Sequence, residues 1–180
     1  MLIRFTTLIL ALALTAPPTI WAAPGAAAQG ATTLPLARNL AADGRDVAAS
    51  KRPLLVLFSE TGCPWCERAR REFLLPMQGN PDYQAKVVFR QIDIDQKTPL
   101  TAFDGAATSH QAFARAMKIK RFPTVLLLGP EGEVLAEPLV GFGIADYYGA
   151  YLDERIDGAA AKLARAPAAK QPPENNPRGR

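Results

Sequence analysis

Between Pro53 and Leu75 the chain reads PLLVLFSETGCPWCERARREFLL, an order that few folds can accommodate. Leu54 to Phe58 is a five-residue apolar run, with the length and composition of a buried strand. From Cys66 the apolar period changes. Cys66, Ala69, Phe73 and Leu74 fall on one helical face, while Glu67, Arg68, Arg71 and Glu72 point elsewhere. A strand that runs so directly into a helix places the helix N-terminus at the end of a sheet. The only two cysteines of the chain, Cys63 and Cys66, sit at that junction.

The rest of the chain supplies partners for this unit. Pro35 to Ser50 has the Ala and Leu content of a helix, weakened by Gly44. Pro76 is expected to end the cysteine-bearing helix near Leu75, since proline lacks a backbone donor and crowds the preceding turn. Pro81 to Ala85 suits a short helical turn, and Lys86 to Ile94 a second strand. Asp95 to Ser109 reads as a loop or small insertion, and His110 to Lys118 as a short helix. TVLLL after Pro123 is a third strand. The turn Gly129-Pro130-Glu131-Gly132 leads to a fourth, Glu133 to Val140, with Pro138 suited to an edge. Ile144 to Ile156 closes with a helix. This order predicts an α/β fold, a mixed central sheet flanked by helices, with an extra helix at the N-terminus.

The ends differ from this body. Met1 to Ala22 has a basic start, an apolar centre and small residues near Ala22 and Ala23, the layout of an export signal peptide. Residues 23–34 read as a linker, 35–158 as the folded domain and 159–180 as a disordered basic tail. The net charge of +4 is misleading as a whole. The tail carries +4 and Arg4 one more charge, so Phe5 to Gly158 carries −1. The domain therefore offers no basic surface for nucleic acid.

An exported chain folds where disulfides persist, yet two cysteines are too few to staple a scaffold. Their placement invites chemistry instead. Backbone N–H groups at a helix N-terminus carry partial positive charge and stabilise a thiolate. Cys63 lies just before the helix and is the expected attacking thiol. Cys66, one turn in and more sheltered, is the expected resolving thiol. Pro64 fits the first helical position, where its missing donor costs nothing. Trp65 either shields Cys66 or contacts a partner. Arg68, Arg70 and Arg71 favour a thiolate, whereas Glu60 and Glu67 oppose it.

Other readings of the pair are weaker. Zinc needs about four ligands, and His110 is the only histidine, so neither metal nor other cofactor is expected. Glu67 stands where haem attachment would need histidine. A structural bridge remains open, although so small a loop constrains the unfolded chain weakly. His110 reads as a capping or solvated residue at a helix start. Asp93 and Asp95 read as turn and surface carboxylates, and Tyr147, Tyr148 and Tyr151 as core and rim packing.

LLVLF, CPWC and RFPTVLLL together resemble the thioredoxin superfamily over roughly Pro53 to Leu152, and with the export signal its periplasmic thiol:disulfide branch, SoxW-like thioredoxins in particular. The resemblance implies that Pro123 is cis and lies against the cysteine pair, and that the backbone of its neighbour Phe122 pairs with an incoming peptide. Pro64, Trp65, Phe122 and Pro123 are then the expected substrate-binding residues beside catalytic Cys63 and Cys66. It also implies a periplasmic monomer that reduces disulfides of partner proteins, with electrons from a membrane donor. A disulfide oxidase of the same fold is the alternative, and a redox-sensing binding module without turnover is another. The chain departs from the pattern in three places. Leu57 replaces a buried aspartate in the first strand, Pro-Trp replaces Gly-Pro, and Phe122 is bulkier than usual.

Overall fold

A computed structural model describes residues 33–166. The expected signal peptide, residues 23–32 of the expected linker and residues 167–180 of the tail lie outside the described residues. Among the described residues no helix is long and apolar enough to cross a membrane.

Strand β1 (Leu54–Ser59) is the centre of the molecule, and all six of its residues are buried. On one side it pairs in parallel with β2 (Val88–Asp93), and on the other antiparallel with β5 (Thr124–Leu128). The edge strand β6 (Leu139–Val140) pairs antiparallel with β5, which gives the sheet order β2-β1-β5-β6. A strand flanked on both edges and covered on both faces must be apolar throughout, which is why LLVLF does not alternate.

The N-terminal segment divides differently from the sequence expectation. Helix α1 spans Leu40–Ser50, whereas Pro35 to Ala37 is extended and lies along β2. Gln91 donates its N–H to Pro35 O (2.8 Å) and accepts from Ala37 N–H (2.9 Å). Asn39 then caps α1 by accepting from Ala42 N–H. The expected linker ends earlier too, because Leu34 is buried in the core. Gly44 is required where it stands. A Cβ there would run into the Pro130 carbonyl oxygen, so the residue that weakens the helix permits its close packing. Asp43 accepts from Arg90 through both oxygens and ties α1 to β2.

The cysteine-bearing helix does not stop at Leu75. It begins as α2 (Pro64–Arg68), widens into a π-helical segment (Ala69–Leu74) and continues as α3 (Leu75–Gly79). Leu75 donates to Arg70 O, five residues back. The wider turn lets the chain pass Pro76, whose missing N–H and bulky ring break a regular α-turn. Helix α4 (Pro81–Lys86) follows.

The expected loop after Asp95 contains a small hairpin, β3 (Pro99–Thr101) and β4 (Ala107–Ser109). It leads into α5 (His110–Ala116), capped by Ser109. The expected fourth strand is broken into two parts. Val134 makes a single bridge to Leu128, and pairing resumes at Leu139, after Pro138, which has no donor to offer.

Helix α6 runs Ala145–Arg165, beyond the expected limit at Gly158. Ala159 and Leu163 are buried and continue the apolar stripe of Tyr148, Leu152 and Ile156. The first part of the expected disordered tail is therefore packed helix.

Helices α4 and α6 are clamped by Tyr83 Oη donating to Asp153 (2.6 Å) and by Lys86 Nζ to Asp157 (2.9 Å). The hydrogen bond to Asp153, with burial second, pushes the Tyr83 phenol up to about 12. A folded-state value above the ordinary one means this contribution is fully present below about pH 10 and is lost as pH rises toward 12. Tyr83→Phe is expected to lower stability at neutral pH and to flatten the decline between those limits. Urea midpoints across the alkaline range measure both effects.

Candidate active site

Strand β1 ends at Ser59, and a turn through Thr61 and Gly62 delivers the chain to the helix. Gly62 has φ +74°, the left-handed region that glycine enters without strain. Asp95 Oδ1 accepts from Thr61 N–H (3.3 Å) and holds the turn from the β2 side. Burial of Asp95 raises its pKa, but hydrogen bonds from Thr61 and Gln96 outweigh this and hold it below the ordinary aspartate value.

Cys63 and Cys66 are joined as a disulfide, with their Cα atoms 5.3 Å apart. Cys63 is the N-cap residue of α2, and its Sγ accepts from Cys66 N–H at 3.1 Å. Its carbonyl accepts from Glu67 N–H. Pro64 occupies the first turn. Cys63 is half-buried while Cys66 is only 1% exposed. The two sulfurs therefore differ in access, and the accessible one sits where helix N–H groups converge.

A cleft of about 480 Å³ opens beside Cys63 on the β2 side. Its charged lining is Glu60, Glu67, Arg70 and Asp93. Arg70 is fully engaged. It donates to Gln91 Oε1 (2.9 Å) and Ser59 Oγ (3.1 Å) and pairs with Glu67. Gln91 in turn donates to Asp93 Oδ1 at 2.6 Å. Nothing in a linear reading singles out Arg70 from Arg68 and Arg71. Only the helix turn brings it, and not them, over Ser59 and Gln91.

His110 is not solvated. It is 0% exposed; its Nδ1 accepts from Asp93 N–H (3.0 Å) and its Nε2 donates to Ala37 O (2.8 Å). The end of β2 and the N-terminal segment each present a backbone group that needs a partner away from water, and the imidazole serves both. The helix cap itself is Ser109.

Trp65 is 54% exposed and stacks on Phe142, with ring centroids 6.1 Å apart. The Arg68 guanidinium lies over both rings. Behind them Phe142 and Phe73 pack on Tyr148, whose hydroxyl is buried and whose phenol is raised by burial. Phe142 was not singled out in the sequence, and its separation from Trp65 along the chain gave no signal. Tyr147 and Tyr151, by contrast, are exposed on the outer face of α6.

The Phe122–Pro123 peptide bond is cis. Because β5 runs antiparallel to β1, Phe58 faces Thr124, and residues 122–123 lie at the same sheet end as the cysteine turn. Pro123 O accepts from Gly141 N–H. Among the described residues neither backbone group of Phe122 has a hydrogen-bond partner. Leu57, where the resemblance would place a carboxylate, is 0% exposed between Gln91 and Val125. Among the described residues no three His, Cys, Asp or Glu side chains gather as a metal site.

Residues 40–156 match the model of a thioredoxin-like domain. A poplar thioredoxin h is 16% identical, with a TM-score of 0.46, covering 66% of this chain and 95% of that one. Mitochondrial thioredoxin 3 from Saccharomyces cerevisiae in its oxidised form is 20% identical, with a TM-score of 0.46, covering 70% and 96%. A thioredoxin-fold protein from Helicobacter pylori is 17% identical, with a TM-score of 0.45, covering 63% and 83%. No curated protein matches the sequence.

Proposed function

Because the chain belongs to the thioredoxin-like domain family, we propose that it is an exported protein-disulfide oxidoreductase of the periplasmic, SoxW-like kind, whose net task is to reduce partner disulfides. The observation that carries this reading is the unequal access of Cys63 and Cys66 at the helix N-terminus. In the reduced protein the Cys63 thiolate attacks one sulfur of the partner disulfide. A Cys63–partner disulfide forms, and the partner's other sulfur leaves as a thiolate. The Cys66 thiol gives up its proton and attacks Cys63 Sγ, which releases the second partner thiolate and closes the bridge between Cys63 and Cys66. Two electrons pass to the partner. A membrane dithiol donor then restores the pair, and the protein acts as a monomer.

The direction is supported by the cleft. Three carboxylates against one arginine oppose the Cys63 thiolate that the helix N-terminus favours. A less stabilised thiolate makes the dithiol a better donor. The expected midpoint lies below about −200 mV, nearer to thioredoxin than to the strong oxidants of this fold. Equilibration with glutathione mixtures measures it, and a value near −120 mV would favour the oxidase instead.

Trapping provides the test of mechanism. Cys66→Ser leaves the attacking sulfur without its resolver, so mixed disulfides through Cys63 should accumulate and appear as reducible adducts on gels. If the variant collects no adducts from any disulfide protein while the wild type turns over, the assigned order of attack is wrong.

A further inference from the structure

A second concavity, of about 350 Å³, lies against β5 and the edge strand β6, on the other side of β1 from the acidic cleft. Its rim carries Lys118, Lys120 and Arg121, and its floor includes Leu126, Val134 and Val140. The three cations are exposed, and among the described residues none is in an ion pair. No carboxylate lines the groove. Local folding explains how the cations reach it. Helix α5 ends in a six-residue turn in which Ile119 N–H reaches Ala114 O and Lys118 N–H reaches Arg115 O. Lys118 takes the left-handed conformation there, with φ +56°. The chain then leads through Lys120 and Arg121 directly to Phe122 and cis-Pro123.

We infer that this groove docks an acidic, extended stretch of the partner polypeptide flanking its reactive cysteine. The inference rests on the exchange reading above and names the class of partner that this reading leaves open. Three features favour a polypeptide. Arg121 and Thr124, on either side of Phe122 and cis-Pro123, line the groove, so a peptide held there can run on to the unpaired backbone of Phe122. Among the described residues β6 pairs only with β5, so its outer edge can accept backbone hydrogen bonds from an added strand. The apolar floor accepts alternate side chains of that strand, which an inorganic anion would leave uncovered and a flat anionic membrane could not fill. Charge chooses among peptides. Acidic residues meet three cations here, whereas the cleft on the other side of Cys63 would repel them.

The test uses the whole chain and three disulfide-linked reporter peptides. They differ only in whether four flanking positions are Asp/Glu, Ser or Lys. At low salt the acidic peptide is expected to have a KM about tenfold lower than the serine peptide, with similar kcat. The difference should shrink in 0.5 M salt, since such contacts are screened. In Lys118→Glu/Lys120→Glu the order of acidic and lysine peptides should invert. Lys120→Glu alone, with its fold checked by circular dichroism, should narrow the preference several-fold. Equal KM values for all three peptides in the wild type would overturn the inference. Co-sedimentation with phosphatidylglycerol vesicles that depends on Lys118 and Lys120, without any peptide preference, would also overturn it in favour of a membrane surface. Turnover of the neutral reagent 2-hydroxyethyl disulfide reports on the exchange chemistry alone. Its absence would defeat that chemistry, while anisotropy with the labelled acidic peptide would still decide the docking claim.

Discussion

Cys63→Ser is expected to abolish the proposed disulfide reduction, with a loss of at least about a thousandfold in an insulin-disulfide assay. A serine hydroxyl stays protonated at neutral pH and cannot form a sulfur–sulfur bond with the partner. Cys66 cannot take over, because it is 1% exposed and lies behind the cap. The stability cost should be small by comparison, since a bridge over three residues constrains the unfolded chain weakly. Substantial turnover by this variant would mean that the accessible sulfur is not the nucleophile. Unchanged partner binding without turnover in the wild type would favour a redox-sensing module.

The second large effect concerns Leu57. Leu57→Asp restores the residue type that the resemblance places in the first strand. Here it would put a carboxylate at a fully buried position of β1, between Gln91 and Val125. An uncompensated buried charge costs about 3 kcal/mol or more. The carboxyl would respond by holding its proton, so its folded-state value would lie above its unfolded value. The variant should then be most stable below about pH 4 and lose stability as pH rises through the folded value. Denaturant midpoints at acid and neutral pH read this directly. Equal midpoints for variant and wild type at neutral pH would show that the site already holds a compensating group.

Much of this architecture was legible in residue order. The uninterrupted run Leu54–Phe58 has the length and composition of a buried strand, and Pro64 suits the first position of a helix. What escaped depended on contacts between distant residues. Pro35–Ala37 looks helical by content, and only the open edge of β2 makes it extended. Ala159 and Leu163 look like tail residues until the turn of α6 is followed past Gly158. His110 departs from the capping or solvated role expected at a helix start because its two backbone partners, at Asp93 and Ala37, lie far away in sequence. The cysteine pair was visible at once. Arg70, Gln91 and Phe142 were not, since their roles arise from which way a helix turns and which loop folds back.

That turning is set by the widened segment Ala69–Leu74. Each residue of a regular helix advances the side chains by about 100° and the axis by about 1.5 Å. The i to i+5 step at Leu75 therefore fixes the rotational phase between the sulfur-bearing end and the end anchored by Leu74 and Met77. Deleting one residue from this stretch would leave composition and charge almost untouched. It would let the i to i+5 step close to an ordinary i to i+4 turn, so Cys63, Cys66 and Trp65 would keep their phase relative to the sheet. Inserting a residue finds no such slack: it would turn the sulfurs by about 100° from the end anchored by Leu74 and Met77, and should be far more damaging than any single substitution on the helix's outer face.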